Sequence, residues 1–157
     1  MRQSRVGTQM KKDSILGIIP CSKEKIWDTE PHRKTVLAKE AYRSAFHRYA
    51  RCYAQRHCAQ HIILSAKYGF MKPDFPIQEP YDISFSRPKD PVISVDTLQQ
   101  QAADYRSFSA ILVLCPKAYA EKIAQAFYHL PPKLLFPLQN IGGFGSMHRF
   151  LKDGAAT

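Results

Sequence analysis

Short apolar runs separated by amphipathic stretches dominate the sequence. Each run is bounded by polar residues or proline, which is the pattern of strands buried inside a sheet. Four such runs predict strands at 15–19, 61–64, 110–114 and 134–136. Because these strands alternate with helical stretches, we expect a three-layer α/β domain with a mainly parallel central sheet of about four strands.

The segment from 35 to 58 has the periodicity of an amphipathic helix. Its aromatic residues recur within one narrow arc of the helix, and we expect that arc to be buried: Tyr42, Phe46, Tyr49 and Tyr53. Three arginines lie off the arc, and we predict that they face solvent or the phosphates of a nucleic acid: Arg43, Arg48 and Arg51.

Further helices are predicted at 94–105, 118–128 and 146–152, the first of them with Ser94 as its N-cap. Five prolines between residues 70 and 93 predict a long loop. Such loops in small domains are commonly functional or mobile.

The length and composition fit one globular domain. A chain of 157 residues with 45% hydrophobic residues can bury a core, and we assign 14–153 to one domain after a basic, flexible segment at 1–13. No apolar run is long enough to span a membrane, and the first residues lack the apolar centre of a secretory signal. The four cysteines match no disulfide scaffold, which favours reduced thiols and a cytoplasmic protein.

The sequence contains no recognisable metal or cofactor motif. Cys52, His57, Cys58 and His61 are close together, but their spacing does not fit a zinc site, since the two cysteines would point to different helix faces. The chain also lacks a Walker loop and a dinucleotide fingerprint after its first strand. We therefore expect no metal and no cofactor.

The charge is strongly positive. Lys and Arg number 23 against 13 Asp and Glu, which gives a net charge of +10. The excess is concentrated in residues 1–60, which hold 13 basic against 5 acidic side chains. A basic half favours polyanionic partners, nucleic acid first.

Each of the first three predicted strands is followed by small residues and then a lysine. Ser22 precedes Lys23, Ser65 lies just before Lys67, and Lys117 follows the third strand. At the carboxyl edge of a parallel sheet these lysines would lie together, which is unfavourable without an anion between them. Three independent surface lysines would give the same pattern.

Candidate chemistry is confined to a few loop residues. Gly142 and Gly143 precede the last helix, where backbone N–H groups could approach an anion. Cys21 and Asp82 are the candidate catalytic residues, Asp82 as a general base. Cations such as Lys25 would favour the Cys21 thiolate, although Cys21 also fits a small buried residue at a strand end.

Two stretches resemble known families. Leu-Ser-Ala-Lys-Tyr-Gly-Phe-Met-Lys-Pro at 64–73, followed by Ile-Gln-Glu-Pro-Tyr at 77–81, resembles the signature of the YaaA-like peroxide-stress proteins. Ile-Pro-Cys-Ser at 19–22, with Lys25, resembles the Pro-Cys-Ser-Lys segment of archaeosine synthase, a tRNA base-modifying enzyme.

The resemblance implies an α/β fold akin to uracil-DNA-glycosylase-like domains, and nucleic acid or a nucleobase as ligand. YaaA-like proteins are similar in binding DNA and protecting cells from oxidative damage. The resemblance spans about residues 15–152, and the functional positions that it implies are Pro20, Cys21, Ser22, Lys25, Ser65, Tyr68, Gly69, Pro80 and Tyr81.

Three functions remain open. An enzyme that modifies a base or nucleotide would use Cys21 or Asp82 in its chemistry and stack the base on Tyr68 or Tyr81. A non-catalytic DNA-binding stress protein needs only the basic first half, and a redox-sensing protein only an exposed Cys21. The expected partner is DNA, tRNA or a nucleotide, with no membrane; the oligomeric state is left open.

Overall fold

Five strands form the central sheet of the computed structural model, which describes residues 11–156. Numbered in chain order, the strands of this part of the chain are β1 (Ile15–Pro20), β2 (Val36–Leu37), β3 (Gln60–Ser65), β4 (Gly69–Met71), β5 (Pro76–Ile77), β6 (Ala110–Val113) and β7 (Lys133–Leu135). The central sheet has the order β4-β3-β1-β6-β7. All its neighbours are parallel except β4, which is antiparallel to β3. β2 and β5 form a separate antiparallel pair.

Helices cover both faces of this sheet. They are α1 (Ala38–Ala41), α2 (Ala45–His57), α3 (Val95–Ala102), α4 (Lys117–Ala126) and α5 (Phe144–Ala156). The chain moves outward from β1 to β3 in one direction and from β6 to β7 in the other, so right-handed crossovers place α2 and α4 on opposite faces. α5 packs along α2, and α3 packs against α4. The three-layer α/β architecture is confirmed, with five strands instead of four.

β1 packs closely against α2. Leu16, Ile18 and Ile19 are completely buried. Gly17 lets the helix approach closely, because a Cβ there would lie 3.0 Å from Cys58 Sγ and 3.1 Å from the Ala54 Cβ. The short apolar run therefore forms the central strand, as its composition predicts.

The prediction of one continuous helix at 35–58 is wrong for residues 35–44, which precede α2. Those residues form β2 and α1, and the chain is extended at Tyr42 before α2 begins. Ser44 caps α2, since its Oγ accepts the N–H of His47 at 3.1 Å. Tyr42 is buried outside the helix, Phe46 is buried on it, and the remaining two members of the aromatic arc, Tyr49 and Tyr53, are only partly buried.

The prediction of a long loop at 70–93 is also wrong for its first residues, which include two short strands. β4 adds an antiparallel strand to the sheet, and β5 pairs with β2. Gly69 makes the turn into β4 with a φ of +81°, a conformation that glycine adopts without strain. β4 lies at the start of a stretch with five prolines, a composition that predicts a loop, which is why the pattern of the sequence misses it.

The other predicted elements lie within a few residues of their expected positions, and Ser94 caps α3 as predicted, accepting the N–H of Thr97 at 3.1 Å. Residues 11–156 include no helix with the length and apolar character needed to cross a membrane. Most of the basic segment predicted at 1–13 lies outside the described residues.

Candidate functional site

A cavity of about 260 Å³ lies beyond the carboxyl ends of β1 and β6. Because the chain leaves these two strands in opposite directions, their ends form the topological switch point, where open α/β sheets bind ligands. Three segments and one side chain from α5 line it: Cys21, Ser22, Lys23 and Lys25; Asp82, Ile83, Ser84, Ser86 and Arg87; Pro116, Ala118 and Tyr119; and Phe144. We call it the switch-point cavity.

Lys25 is a buried cation in the wall of this cavity. The residue is only 5% exposed, and its Nζ lies 4.5 Å from the centroid of the Tyr81 ring and 5.9 Å from that of Tyr42. Its hydrogen bond is to the Lys23 carbonyl oxygen, at 3.5 Å. No carboxylate of the described residues lies within 4.0 Å of the ammonium group. Burial lowers the pKa of Lys25 despite the opposing effect of nearby acidic groups.

The backbone around Lys25 is fixed by local contacts. The Lys25 N–H donates to Asp28 Oδ2 at 2.9 Å, which starts the 3₁₀ turn Ile26–Asp28. Lys25 also forms an isolated antiparallel bridge with Tyr42. These contacts hold the long side chain where it enters the cavity wall, so the ammonium is placed by the backbone and not by an acidic partner.

Three hydroxyl groups join the proline-rich loop to the sheet. The Tyr81 hydroxyl hydrogen-bonds both the Tyr42 hydroxyl and Ser65 Oγ, the latter at 2.8 Å. Ser65 Oγ also accepts the N–H groups of Lys67 and Tyr68, each at 3.1 Å. Burial raises the pKa of Tyr42 and Tyr81, so both phenols stay protonated. Neither Tyr68 nor Tyr81 lines the switch-point cavity, but Tyr81 lines a depression of about 360 Å³ that shares Lys23, Lys25 and Asp82 with it.

Cys21 is both buried and part of the cavity wall. It is 8% exposed, and its N–H continues the sheet by donating to the Leu64 carbonyl oxygen at 3.0 Å. Its Sγ lies 3.4 Å from the Tyr119 hydroxyl, which in turn lies 3.4 Å from Ser84 Oγ. Burial raises the pKa of Tyr119, so its hydroxyl keeps its proton and is available to donate to the sulfur.

His47 supports the segment that carries Cys21, and sequence patterns do not single it out. The side chain is completely buried, and Nδ1 lies 2.7 Å from the Pro20 carbonyl oxygen. Since a carbonyl only accepts, Nδ1 carries the proton. Burial lowers the pKa of His47 to about 4, so the imidazole is neutral near neutral pH. Its Nε2 is buried with no hydrogen-bond partner among the described residues.

Asp82 lines the cavity as an exposed, paired carboxylate. Its Oδ1 accepts from Arg87 Nη2 at 2.8 Å, and Arg87 Nε donates to Asp90 Oδ2 at 2.7 Å. The hydrogen bond from Arg87 lowers the pKa of Asp82, so the group is ionised and accepts hydrogen bonds well. The same pairing makes it a weaker base than an isolated carboxylate.

The three lysines expected at one edge do not share one cavity. Lys23 lines the switch-point cavity, whereas Lys67 lies over the Tyr68 ring at 5.2 Å and Lys117 is exposed outside the lining. Gly142 and Gly143 are exposed and also outside the lining, which Phe144 reaches instead. The buried lysine of the cavity is Lys25, which is not one of these three.

The arginines expected to bind nucleic acid lie together in a second depression, of about 400 Å³. We call it the basic groove, and its lining residues are Ile26, Glu30, Arg33, Lys39, Glu40, Tyr42, Arg43, Ser44, Arg48 and Arg51. The prediction that these arginines face away from the core is confirmed for Arg43 and Arg48, which are exposed, while Arg51 is partly buried.

Comparisons with known proteins place the chain in a family. Residues 16–153 match the model of a family of unknown function (DUF6884). The chain is 33% identical over 134 residues to "Uncharacterized protein YfjM" of Bacillus subtilis (strain 168), an alignment that covers 84% of this chain and 89% of the relative. No solved structure matches significantly. The chain belongs to the DUF6884 family.

Proposed function

We propose that the switch-point cavity binds a nucleobase or nucleotide of nucleic acid, DNA or tRNA, and that the protein modifies the bound group. The observation that carries this proposal is the Lys25 ammonium, buried in the cavity wall without a carboxylate partner. A buried cation is costly unless it is paired. An electron-rich or anionic ligand in the cavity supplies the missing partner.

The cavity also contains the groups that a modifying enzyme needs. Cys21 is the candidate nucleophile, with the Tyr119 hydroxyl 3.4 Å from its sulfur as a protonated neighbour. Asp82 is the candidate acceptor of hydrogen bonds from the edge of a base. Phe144 is 62% exposed at the cavity and offers an aromatic face to a base, the part that we expected Tyr68 or Tyr81 to play.

The fold relationship is part of the same proposal. Four parallel strands with helices on both faces support a kinship with uracil-DNA-glycosylase-like domains, as the resemblance to YaaA-like proteins and archaeosine synthase implies. The alternative is a non-catalytic DNA-binding stress protein of the YaaA-like type. The basic groove favours that alternative, because phosphate contacts alone suffice for binding.

The ligand proposal is tested by titrating the four nucleoside monophosphates and the free bases against the protein, with binding followed by calorimetry. Lys25→Met keeps most of the length of the side chain and removes its charge, so it should weaken binding at least tenfold. Lys117→Met is the matched control and should bind like the parent, because Lys117 lies outside the cavity. Equal affinities for parent and Lys25→Met would contradict the proposal.

The enzymatic half needs a separate readout. Nucleosides from the DNA and tRNA of cells with and without the protein should differ in one modified base when quantified by mass spectrometry. Cys21→Ala and Asp82→Asn should each abolish that difference. Identical nucleoside profiles in all strains, together with intact DNA binding, would leave the non-catalytic alternative in place.

A further inference from the structure

The basic groove carries an excess of unpaired positive charge. Five cations and two carboxylates line it, and both carboxylates face the same guanidinium: Arg33 lies 3.0 Å from Glu30 and 3.6 Å from Glu40. Among the described residues, the other four cations have no carboxylate within 4.0 Å: Lys39, Arg43, Arg48 and Arg51. Such a groove attracts a polyanion with several separated charges.

Residues that line the basic groove adjoin residues that line the switch-point cavity, although no residue lines both. Tyr42 lines the groove, while the ammonium of Lys25, which lines the cavity, lies 5.9 Å from the centroid of the Tyr42 ring. Ile26, the next residue after Lys25, also lines the groove. The Arg43 N–H donates to the Glu24 carbonyl oxygen at 2.9 Å, so the two surfaces are held together by the backbone.

The size of the cavity limits what it holds. At about 260 Å³ it lies just below the roughly 300–1,000 Å³ of sites that enclose a drug-sized molecule, so it has room for a base-sized ring. The phosphates that flank such a base would need cations outside the cavity, and the basic groove holds the arginines that could supply them.

We infer that the groove and the cavity bind one single strand of nucleic acid, with one base in the cavity and the flanking phosphates on the arginines of the groove. This inference rests on the proposed function, and it names the substrate as a polynucleotide and not a free nucleotide. A single strand fits because its bases are available, whereas a duplex must first extrude the base. Arginine suits the groove because its planar guanidinium binds phosphate oxygens in pairs.

The test compares single-stranded oligonucleotides of about 4 to 16 nucleotides with the corresponding nucleoside monophosphate, using fluorescence anisotropy at several salt concentrations. The parent should bind the longer oligonucleotides at least tenfold more tightly than the monophosphate. Affinity falls as salt rises, so the slope of log affinity against log salt is negative. In Arg43→Ala/Arg48→Ala/Arg51→Ala this slope should become shallower by about 2, since each lost contact to a single strand removes about 0.7 from its magnitude.

Matched variants separate the groove from overall charge. Lys89→Ala/Lys133→Ala/Lys152→Ala removes the same charge from exposed positions outside the groove, and its salt slope should stay close to that of the parent. If the alanine variant is poorly folded, Arg43→Lys/Arg48→Lys/Arg51→Lys should keep most of the salt slope but bind less tightly than the parent. Equal slopes for the groove alanine variant and the control variant, or unchanged affinity in the groove lysine variant, would overturn the inference.

Two further outcomes separate this inference from the proposed function. If monophosphate binding depends on Lys25 but oligonucleotides bind no more tightly than the monophosphate, the cavity proposal stands and the strand proposal fails. If a duplex or a polyglutamate competitor displaces the labelled strand as well as an unlabelled strand does, the groove is a general polyanion site and the inference is wrong.

Discussion

The Tyr81 hydroxyl lies 2.8 Å from Ser65 Oγ and so ties the proline-rich loop to the carboxyl end of β3. Tyr81→Phe removes the hydroxyl that also pairs with the Tyr42 phenol. We expect the free energy of unfolding to fall by about 1–3 kcal/mol, because a buried polar group loses its partner.

The effect of Tyr81→Phe can be read from urea unfolding and from proteolysis of the loop, which should be cleaved faster in the variant. Tyr128→Phe is the matched control, since Tyr128 is 75% exposed and should lose nothing measurable. Identical stability and cleavage rates for Tyr81→Phe and the parent would show that the hydroxyl chain does not anchor the loop.

His47 should make the protein acid-sensitive. Burial lowers the pKa of His47 from 6.5 to about 4, so the unfolded chain takes up a proton between these values while the folded protein does not. Stability is therefore lost as the pH falls from about 6.5 towards about 4, by at most about 3 kcal/mol. His47→Gln should flatten this fall in urea unfolding measured at several pH values.

Other groups also titrate in that range, so the comparison that matters is between two histidine variants. His32→Gln removes an exposed histidine and should lose stability with falling pH in parallel with the parent. If His47→Gln follows the same curve as His32→Gln, the buried imidazole is not the source of the acid sensitivity.

Gln101 should stabilise the turn that leads into β4. Its Oε1 accepts the Phe70 N–H at 2.8 Å, and its Nε2 donates to the Tyr68 carbonyl oxygen at 3.1 Å. Gln101→Ala leaves both backbone groups without these bonds, and we expect a loss of about 1–3 kcal/mol in chemical unfolding. Gln100→Ala, at an exposed position of the same helix, should change stability by less than about 0.5 kcal/mol.

A side chain at Gly17 should be destabilising. In Gly17→Ala the new Cβ would lie 3.0 Å from Cys58 Sγ and 3.1 Å from the Ala54 Cβ, so these neighbours must shift by a few tenths of an ångström, and we expect a loss of about 1–3 kcal/mol. Gly143→Ala introduces a Cβ with no neighbour within 4 Å and should be nearly neutral. Thermal melting of the two variants decides the matter: similar melting temperatures would mean that the close approach of strand and helix is not needed.

Sequence patterns predict best the elements that have a clear local pattern of apolar and polar residues. The central strands and the helices from α2 onward have such a pattern, and Ser94 marks the start of a helix by its side chain. β4 and the break at Tyr42 escape prediction because each depends on contacts between segments far apart in the chain. Tyr42 leaves the helical arc to hydrogen-bond with Tyr81, which no local pattern records.

The residues of the candidate site also fall into those that the sequence predicts and those that it does not. Cys21, Lys25 and Asp82 line the cavity as their positions after strands or in the proline-rich loop suggest. Tyr119 and His47 escape prediction, because their roles come from single contacts with Cys21 Sγ and with the Pro20 carbonyl oxygen. Periodicity accounts for the burial of such residues and contains no information about the one atom that each of them touches.

The position of β1 in the sheet also has a consequence for how the protein folds. β1 comes before every other strand of the described chain, yet it pairs with β3 on one side and with the still later β6 on the other. Because such distant pairings require large loops to close first, folding should be slower than for a helical protein of equal size. During synthesis, the strand that carries Leu16, Ile18 and Ile19 therefore lacks one of its two neighbouring strands until β6 has left the ribosome.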